Sequence, residues 1–177
     1  MSPPVSASQT PEKVDLSKPR SEWWQTLRSS TSEVFSTMVG IALVVPEQKE
    51  DFIVVPEAND SSLVAHVTGM IGIAGAMRAI FSLRCNENTA TKIAAQMLGI
   101  PMTDAAGQRA DAIGEICNMI AGDFKHRIGF GDSCTLSVPT VVSGGRYKVY
   151  CLAARQHLEF PATYEGEPVL VSLEIRG

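Results

Sequence analysis

A run of apolar residues at helical spacing constrains the fold of this chain more than any other feature. Ile113, Ile116, Ile120, Phe124 and Ile128 recur at intervals of three or four residues. On an α-helix, where successive residues are about 100° apart, these side chains form one stripe. Most of the stability of such a helix comes from covering the stripe. The sequence therefore predicts a helix that lies against a folded core.

The opposite side of the same helix has an unexpected composition. It carries Asp111, Glu115, Asn118, Gly122 and Lys125. Inside a helix, asparagine costs roughly 0.7 kcal/mol and glycine about 1 kcal/mol relative to alanine. An acid, a carboxamide and a position without a side chain therefore indicate a surface that a partner contacts. The alternative is an ordinary solvated face, whose charges would contribute little to stability.

Two further helices are predicted. The first begins with Ser21 as its N-cap and runs toward Gly40. The second covers residues 86–98 and is ended by the glycine that follows it. Thr103 or Asp104 is predicted to cap the long helix described above.

Apolar runs bounded by turn residues predict the strands. They cover residues 52–56 (which can pair with residues 41–45), 62–71, 76–84, 133–138, 146–160 and 168–176. The arms 62–71 and 76–84 form a hairpin around residues 72–75, and residues 139–145 form a connecting loop. The last strand alternates between apolar and more polar positions, which suits a strand at the edge of a sheet.

Strands separated by a few helices predict an α+β fold, with a mainly antiparallel β-sheet of about six strands flanked by long α-helices. Residues 1–20 are rich in Pro and Ser and are predicted to be a flexible tail, followed by a single domain over residues 21–177. Glu33, Ser36 and Gly40 repeat the spacing of Glu115, Asn118 and Gly122. This repeated spacing suggests an internal αββ duplication.

Composition argues against several classes of protein. A net charge of −4 without a Lys/Arg cluster argues against binding to nucleic acid. The longest apolar stretch, residues 63–83, contains His66 and Arg78, which argues against a membrane span. Four scattered cysteines without a Cys-x-x-Cys pair predict no metal site. With no signal peptide in the sequence, we expect a cytoplasmic protein with reduced thiols.

Four blocks of the sequence, in this order, resemble the CheX/CheC/FliY family of chemotaxis phosphatases, and CheX more than the others. The blocks are residues 71–75 (IGIAG), 94–99 (AAQMLG), 114–122 (GEICNMIAG) and 139–144 (PTVVSG). The resemblance implies a CheC-like fold. It also implies removal of the phosphoryl group from the aspartyl phosphate of a CheY-like response regulator, which ends the signal in chemotaxis or a related two-component pathway.

The resemblance further implies roles for the long helix. Glu115 would pair with the regulator's invariant lysine, and Asn118 would orient a water for in-line attack on phosphorus. Asp111, Gly122 and Lys125 would contact the partner. Hydrolysis of an acyl phosphate needs a placed water more than a strong base, and a carboxamide can both donate to and accept from that water. No cofactor of its own is expected, and Mg²⁺ would belong to the regulator.

One departure from the family pattern bears on the number of sites. CheC-type members carry two Glu-x-x-Asn helices, whereas the first helix here offers Glu33 and Ser36. A serine hydroxyl is short and tends to bond to the preceding turn. The sequence therefore predicts a single working site, as in CheX-type members, and the resemblance also suggests a homodimer paired through its sheets. The alternative function is a non-catalytic adaptor of the same fold, like the flagellar-switch relatives, which binds a partner without hydrolysis.

Overall fold

The computed structural model describes residues 20–45, 67–145, 147 and 156–176. The helices, in chain order, are α1 (Arg20–Val34), α2 (Glu87–Leu98), α3 (Met102–Ala105) and α4 (Arg109–Arg127). The strands are β1 (Val67–Gly75), β2 (Arg78–Cys85), β3 (Cys134–Leu136), β4 (Thr140–Ser143), β5 (Gln156–Tyr164) and β6 (Glu167–Arg176). A single π-helical turn, Phe35–Val39, extends α1.

The six strands form one antiparallel sheet in the order β3-β1-β2-β6-β5, with β4 also paired to β1. The predicted α+β class, with a mainly antiparallel sheet flanked by helices, is confirmed. The prediction that the C-terminal strand lies at an edge is wrong, because β6 pairs with both β2 and β5. Its polar positions are instead satisfied inside the sheet, where the hydroxyls of Ser172 and Ser82 lie 2.7 Å apart.

One face of the sheet forms the core with the helices. Phe81, Leu83, Phe160, Val171 and Leu173 are fully buried on this face. Helix α1 lies beside α4, and α4 packs on β1 and β2. Burial of each such side chain contributes about 1.5–3 kcal/mol, so the core firmly fixes the position of α4.

The predicted hairpin is present, but its turn was misplaced. The turn falls at residues 76–77, and residues 72–75 belong to β1, where Gly72 pairs with Ile80. Gly75 ends the strand at φ +130°, and a Cβ there would lie 2.2 Å from the carbonyl oxygen of Ser133. The sequence predicts the glycines of this segment as turn residues. The structure shows that they lie in β1 and that Gly75 permits a close approach between two backbone segments.

The predicted second helix is confirmed, and the predicted cap of the long helix is wrong. The Asn86 side chain accepts a hydrogen bond from the Thr89 N–H at 2.7 Å, and Gly99 ends α2 in the left-handed conformation. Thr103 and Asp104 lie inside α3. A 3₁₀ turn, Ala106–Gln108, continues the helical backbone from α3 into α4, so no side-chain cap is made at this junction.

Several predictions lie outside the described residues. These are the tail (residue 20 apart), the strand 52–56 and residues 62–66 of the hairpin. Of the predicted strand 146–160, the structure describes Tyr147 and the part that belongs to β5. The predicted loop 139–145 is wrong in its middle, because β4 pairs there with β1. None of the helices in the described ranges combines the length and hydropathy that a membrane span requires.

Candidate functional site on helix α4

Helix α4 presents its predicted apolar stripe to the core. Ile113, Ile116, Ile120 and Phe124 are fully buried, and Ile128, just beyond the helix, is half-buried. The prediction from the helical spacing is confirmed. Because the stripe fixes the rotation of α4 about its axis, it also fixes which side chains point away from the core.

The helix lies very close to β1 at Gly69. A Cβ at this position would lie 2.5 Å from Cys117 Sγ and 2.7 Å from Ile113 Cγ2. Burial raises the pKa of the Cys117 thiol well above its ordinary value, so this thiol stays protonated and does not act as a nucleophile. The chemistry of the site therefore falls to the outward side of the helix.

The five residues singled out from the sequence share this outward side, which we call the outer face of α4. Asp111 and Glu115 are exposed, and Asn118, Gly122 and Lys125 are half-buried. The structure therefore brings all five together. Glu115 and Asn118 are three residues apart, so their side chains are neighbours on the helix surface.

Three polar side chains of the outer face, Asp111, Glu115 and Asn118, have no partner within the described part of the chain. Among those residues, no hydrogen bond or ion pair reaches either carboxylate or the Asn118 amide. By contrast, two arginines of the same helix are paired: Arg109 Nη1 lies 3.0 Å from Glu87 Oε2, and Arg127 contacts Asp123 at 2.6 Å. An unpaired carboxylate beside an unpaired carboxamide can bind a cation and a water of another molecule at the same time.

Residues 134–143, which comprise β3, β4 and the residues between them, run along this side of α4, and we call them the edge segment. An added Cβ at Gly114 would lie 3.2 Å from Pro139 Cβ, and one at Gly122 would lie 3.9 Å from Leu136 Cδ1. Gly114, Asn118 and Gly122 are four residues apart and form one row on the helix. Asn118 therefore lies between two points at which α4 meets the edge segment.

The two glycines of this row differ in what the fold requires. The 3.2 Å distance at Gly114 is tighter than ordinary van der Waals contact, whereas the 3.9 Å distance at Gly122 is ordinary. Gly114 was not singled out from the sequence, although its spacing of four residues before Asn118 was available as a signal. The fold does not require a glycine at Gly122, and its contact with a partner stays a prediction.

Lys125 has a structural task on the outer face. Its ammonium group donates to the carbonyl oxygens of Gly131 and Cys134, the latter at 2.9 Å. These bonds tie the end of α4 to the start of the edge segment. The sequence assigned Lys125 to partner contact, which stays a prediction, but the ammonium is already engaged by two backbone acceptors.

We expect Lys125→Met to destabilise the protein by about 1–2 kcal/mol, because two carbonyl oxygens lose a charged donor. Chemical unfolding in urea measures this loss directly. Lys92→Met is the matched control, since Lys92 is also half-buried but, within the described residues, is bonded only to the partly exposed Glu165 carboxylate. Equal stability of Lys125→Met and the wild type would mean that the two bonds contribute nothing to the fold.

The first helix does not reproduce the arrangement of α4. The carboxylate of Glu33 is paired with Arg127, which lies on α4. Ser36 is exposed and lies in the π-helical turn at the end of α1. In the pair Glu33 and Ser36, the acid is therefore engaged in an ion pair within the fold, unlike Glu115.

No metal cluster lies on the outer face of α4 in the described part of the chain, and the cavity beside α2 lies away from it. Among the described residues, no group of three or more His, Cys, Asp or Glu side chains is placed to hold a metal ion. A cavity of about 350 Å³ lies between α2 and the β5–β6 turn, and its lining includes Gln96, Met102 and Tyr164 but no residue of the outer face. The outer face is a helix surface, which suits a macromolecular partner better than a small molecule.

Comparison with known families gives one match to a family model. Residues 67–163 match the family described as "Chemotaxis phosphatase CheX". This range contains β1, β2, all of α4 and the edge segment. No curated protein matches the chain.

Solved structures share the fold over most of the chain. The chemotaxis protein CheX from Vibrio vulnificus is 23% identical, with a TM-score of 0.72, and the match covers 90% of this chain and 100% of that one. A CheC-like superfamily protein from Shewanella sp. PV-4 is 20% identical, with a TM-score of 0.72 and the same coverage. The CheX–CheY–BeF₃–Mg²⁺ complex from Borrelia burgdorferi contains a chain that is 17% identical, with a TM-score of 0.69, covering 88% of this chain and 98% of that one.

Proposed function

Because the chain belongs to the CheX family of chemotaxis phosphatases, we propose that it hydrolyses the aspartyl phosphate of a CheY-like response regulator. The observation that carries the proposal is the pair of unengaged polar groups on the outer face of α4. Glu115 and Asn118 lie one helical turn apart, and neither side chain has a partner within the described residues. The buried stripe beneath them holds the pair in a fixed orientation, so little ordering is needed when a partner docks.

In the proposed reaction, Glu115 binds a lysine at the regulator's active site. A carboxylate gives a charge-assisted hydrogen bond with a defined direction, which aligns the two proteins. Asn118 is then the side chain that enters the regulator's active site. Its carbonyl oxygen accepts a hydrogen bond from a water, and its NH₂ group donates a hydrogen bond to an acceptor beside that water. The water is thereby oriented toward phosphorus.

Attack of that water forms a new P–O bond as the bond between phosphorus and the aspartyl oxygen breaks. The products are inorganic phosphate and the free aspartate carboxylate of the regulator. Positioning the water can supply a large part of the rate acceleration, because phosphoryl transfer requires little covalent chemistry from the protein. Mg²⁺ bound by the regulator would balance the charge on the phosphoryl oxygens.

The structure from Borrelia burgdorferi supports the choice of partner, since it is described as a complex of a CheX with CheY, BeF₃ and Mg²⁺. By analogy of fold, we propose a phosphorylated CheY-like regulator as the substrate of this chain. A cytoplasmic location is part of the same proposal. A homodimer is also proposed, and size-exclusion chromatography with light scattering tests it.

The test measures inorganic phosphate released from purified CheY-like regulators phosphorylated with acetyl phosphate. We expect the wild type to accelerate release from at least one regulator of its host. Glu115→Gln should raise the KM for that regulator about tenfold, because a charge-assisted bond is lost. Glu22→Gln, which changes an exposed acid on α1, should leave the KM unchanged.

The alternative is a non-catalytic adaptor of the same fold. Such a protein would bind the phosphorylated regulator without accelerating phosphate release. The presence of both Glu115 and Asn118, neither of them bonded within the described residues, favours catalysis. Binding without acceleration for every regulator of the host would establish the adaptor and overturn the phosphatase.

A further inference from the structure

The edge segment contains a β-bulge beside the outer face of α4. Ile73 pairs with Leu136 and Met70 pairs with Thr140. Between these pairs β1 has two residues, 71 and 72, whereas the edge segment has three, 137 to 139, so one residue is extra. Bulges of this kind redirect side chains and occur often next to functional sites.

Ser137 stabilises the bulge with its side chain. The Ser137 N–H donates to the Gly72 carbonyl at 2.8 Å, and the Gly72 N–H donates to Ser137 Oγ at 2.9 Å. The hydroxyl thus takes the place of the carbonyl that a regular strand would offer. Because both backbone bonds of Gly72 are satisfied, the extra residue is held in a defined position.

The bulge directs Val138 into solvent. Val138 is 82% exposed, which makes it the most exposed of the large apolar side chains in the described part of the chain. Its neighbours in the edge segment, Leu136 and Pro139, lie against α4 at Gly122 and Gly114. Val138 therefore lies within a segment that borders the row containing Asn118, and its 82% exposure shows that the described residues do not bury this apolar side chain.

We propose that Val138 is a specificity-determining contact that inserts against an apolar side chain at the rim of the response regulator's active site. The proposal rests on the proposed function and adds a third element to the contact surface. Asp111 and Glu115, which are unpaired within the described residues, offer acids to a basic group of the regulator, and Val138 offers an apolar surface on the edge segment that borders the row of Asn118. A charged contact selects the class of partner, and an apolar contact at its margin discriminates among members of that class.

The test uses the regulator that the wild type dephosphorylates fastest, phosphorylated with acetyl phosphate, with initial rates measured over a range of regulator concentrations. Val138→Ser should raise the KM about tenfold while kcat stays unchanged, since the contact serves docking only. Val138→Ile should retain the wild-type KM. Val44→Ser is the matched control, because Val44 is an apolar residue that is 66% exposed and is paired through its backbone with Thr163 on β5.

The outcomes separate this inference from the proposed function. If Asn118→Ala is inactive but Val138→Ser has the wild-type KM, the proposed contact is overturned and the proposed phosphatase function is retained. A lower kcat with an unchanged KM would also overturn it, because the bulge would then act on the position of Asn118. Activity of Asn118→Ala equal to that of the wild type would overturn the function itself.

Discussion

Asn118→Ala is expected to reduce the rate of phosphate release from a phosphorylated regulator by about 100-fold or more, because the attacking water is no longer held in line. Binding should persist, since Glu115 and the rest of the outer face are unchanged. The measurement is single-turnover decay of the acyl phosphate, together with affinity for the regulator in its BeF₃-bound form. Substantial loss of affinity instead of rate would assign Asn118 to docking.

Two controls accompany this variant. The Asn118 side chain has no hydrogen bond within the described residues, so its removal should not destabilise the protein, and the higher helix propensity of alanine should add up to about 0.7 kcal/mol of stability. Asn88→Ala, at an exposed position on α2, reports the effect of removing an asparagine elsewhere. Ser36→Ala tests for a second site on α1 and should retain full activity. Equal losses for Ser36→Ala and Asn118→Ala would contradict a single site.

Gly69→Ala is expected to destabilise the fold by about 2–3 kcal/mol and to displace the outer face of α4. The added methyl would lie 2.5 Å from Cys117 Sγ and 2.7 Å from Ile113 Cγ2, and both side chains belong to a packed core with no room to yield. Urea unfolding measures the loss of stability. The rate of phosphate release, compared with that of the wild type at urea concentrations below the midpoint of unfolding, measures the displacement of the helix.

Gly72→Ala is the matched control on the same strand. Its added Cβ would lie 3.4 Å from Ser137 Oγ, which is ordinary contact. We expect a much smaller change in stability than at Gly69. Similar losses at the two positions would indicate that the cost comes from β1 itself and not from its approach to α4.

The sequence predicted the parts of the fold that depend on local periodicity. The stripe on α4 and the glycine that ends α2, Gly99, are visible without any knowledge of tertiary contacts. The outer face followed from the same helical spacing, because the side opposite a buried stripe must face outward. The family resemblance supplied the roles of Glu115 and Asn118.

The errors occurred where tertiary contacts decide the structure. Residues 72–75 look like a turn, but pairing with β2 through residue 73 and with β3 through residue 75 extends β1 over them. Pro139 and the glycines after it suggested a loop, but the Ser137 side chain lets the chain rejoin β1 as β4. The partner contact predicted for Lys125 stays a prediction, but its structural task could not be predicted, because the sequence does not reveal that the chain turns back to bring two carbonyl oxygens to its ammonium group.

The bulge at residues 137–139 leaves one position of the molecule independent of folding. A side chain there can be exchanged without opening a void or breaking a backbone bond, so mutations accumulate at little thermodynamic cost. If Val138 contacts the regulator as proposed, a change at this position would alter which regulator is bound while Glu115 and Asn118 stay the same. The bulge would then separate the choice of partner from the proposed chemistry.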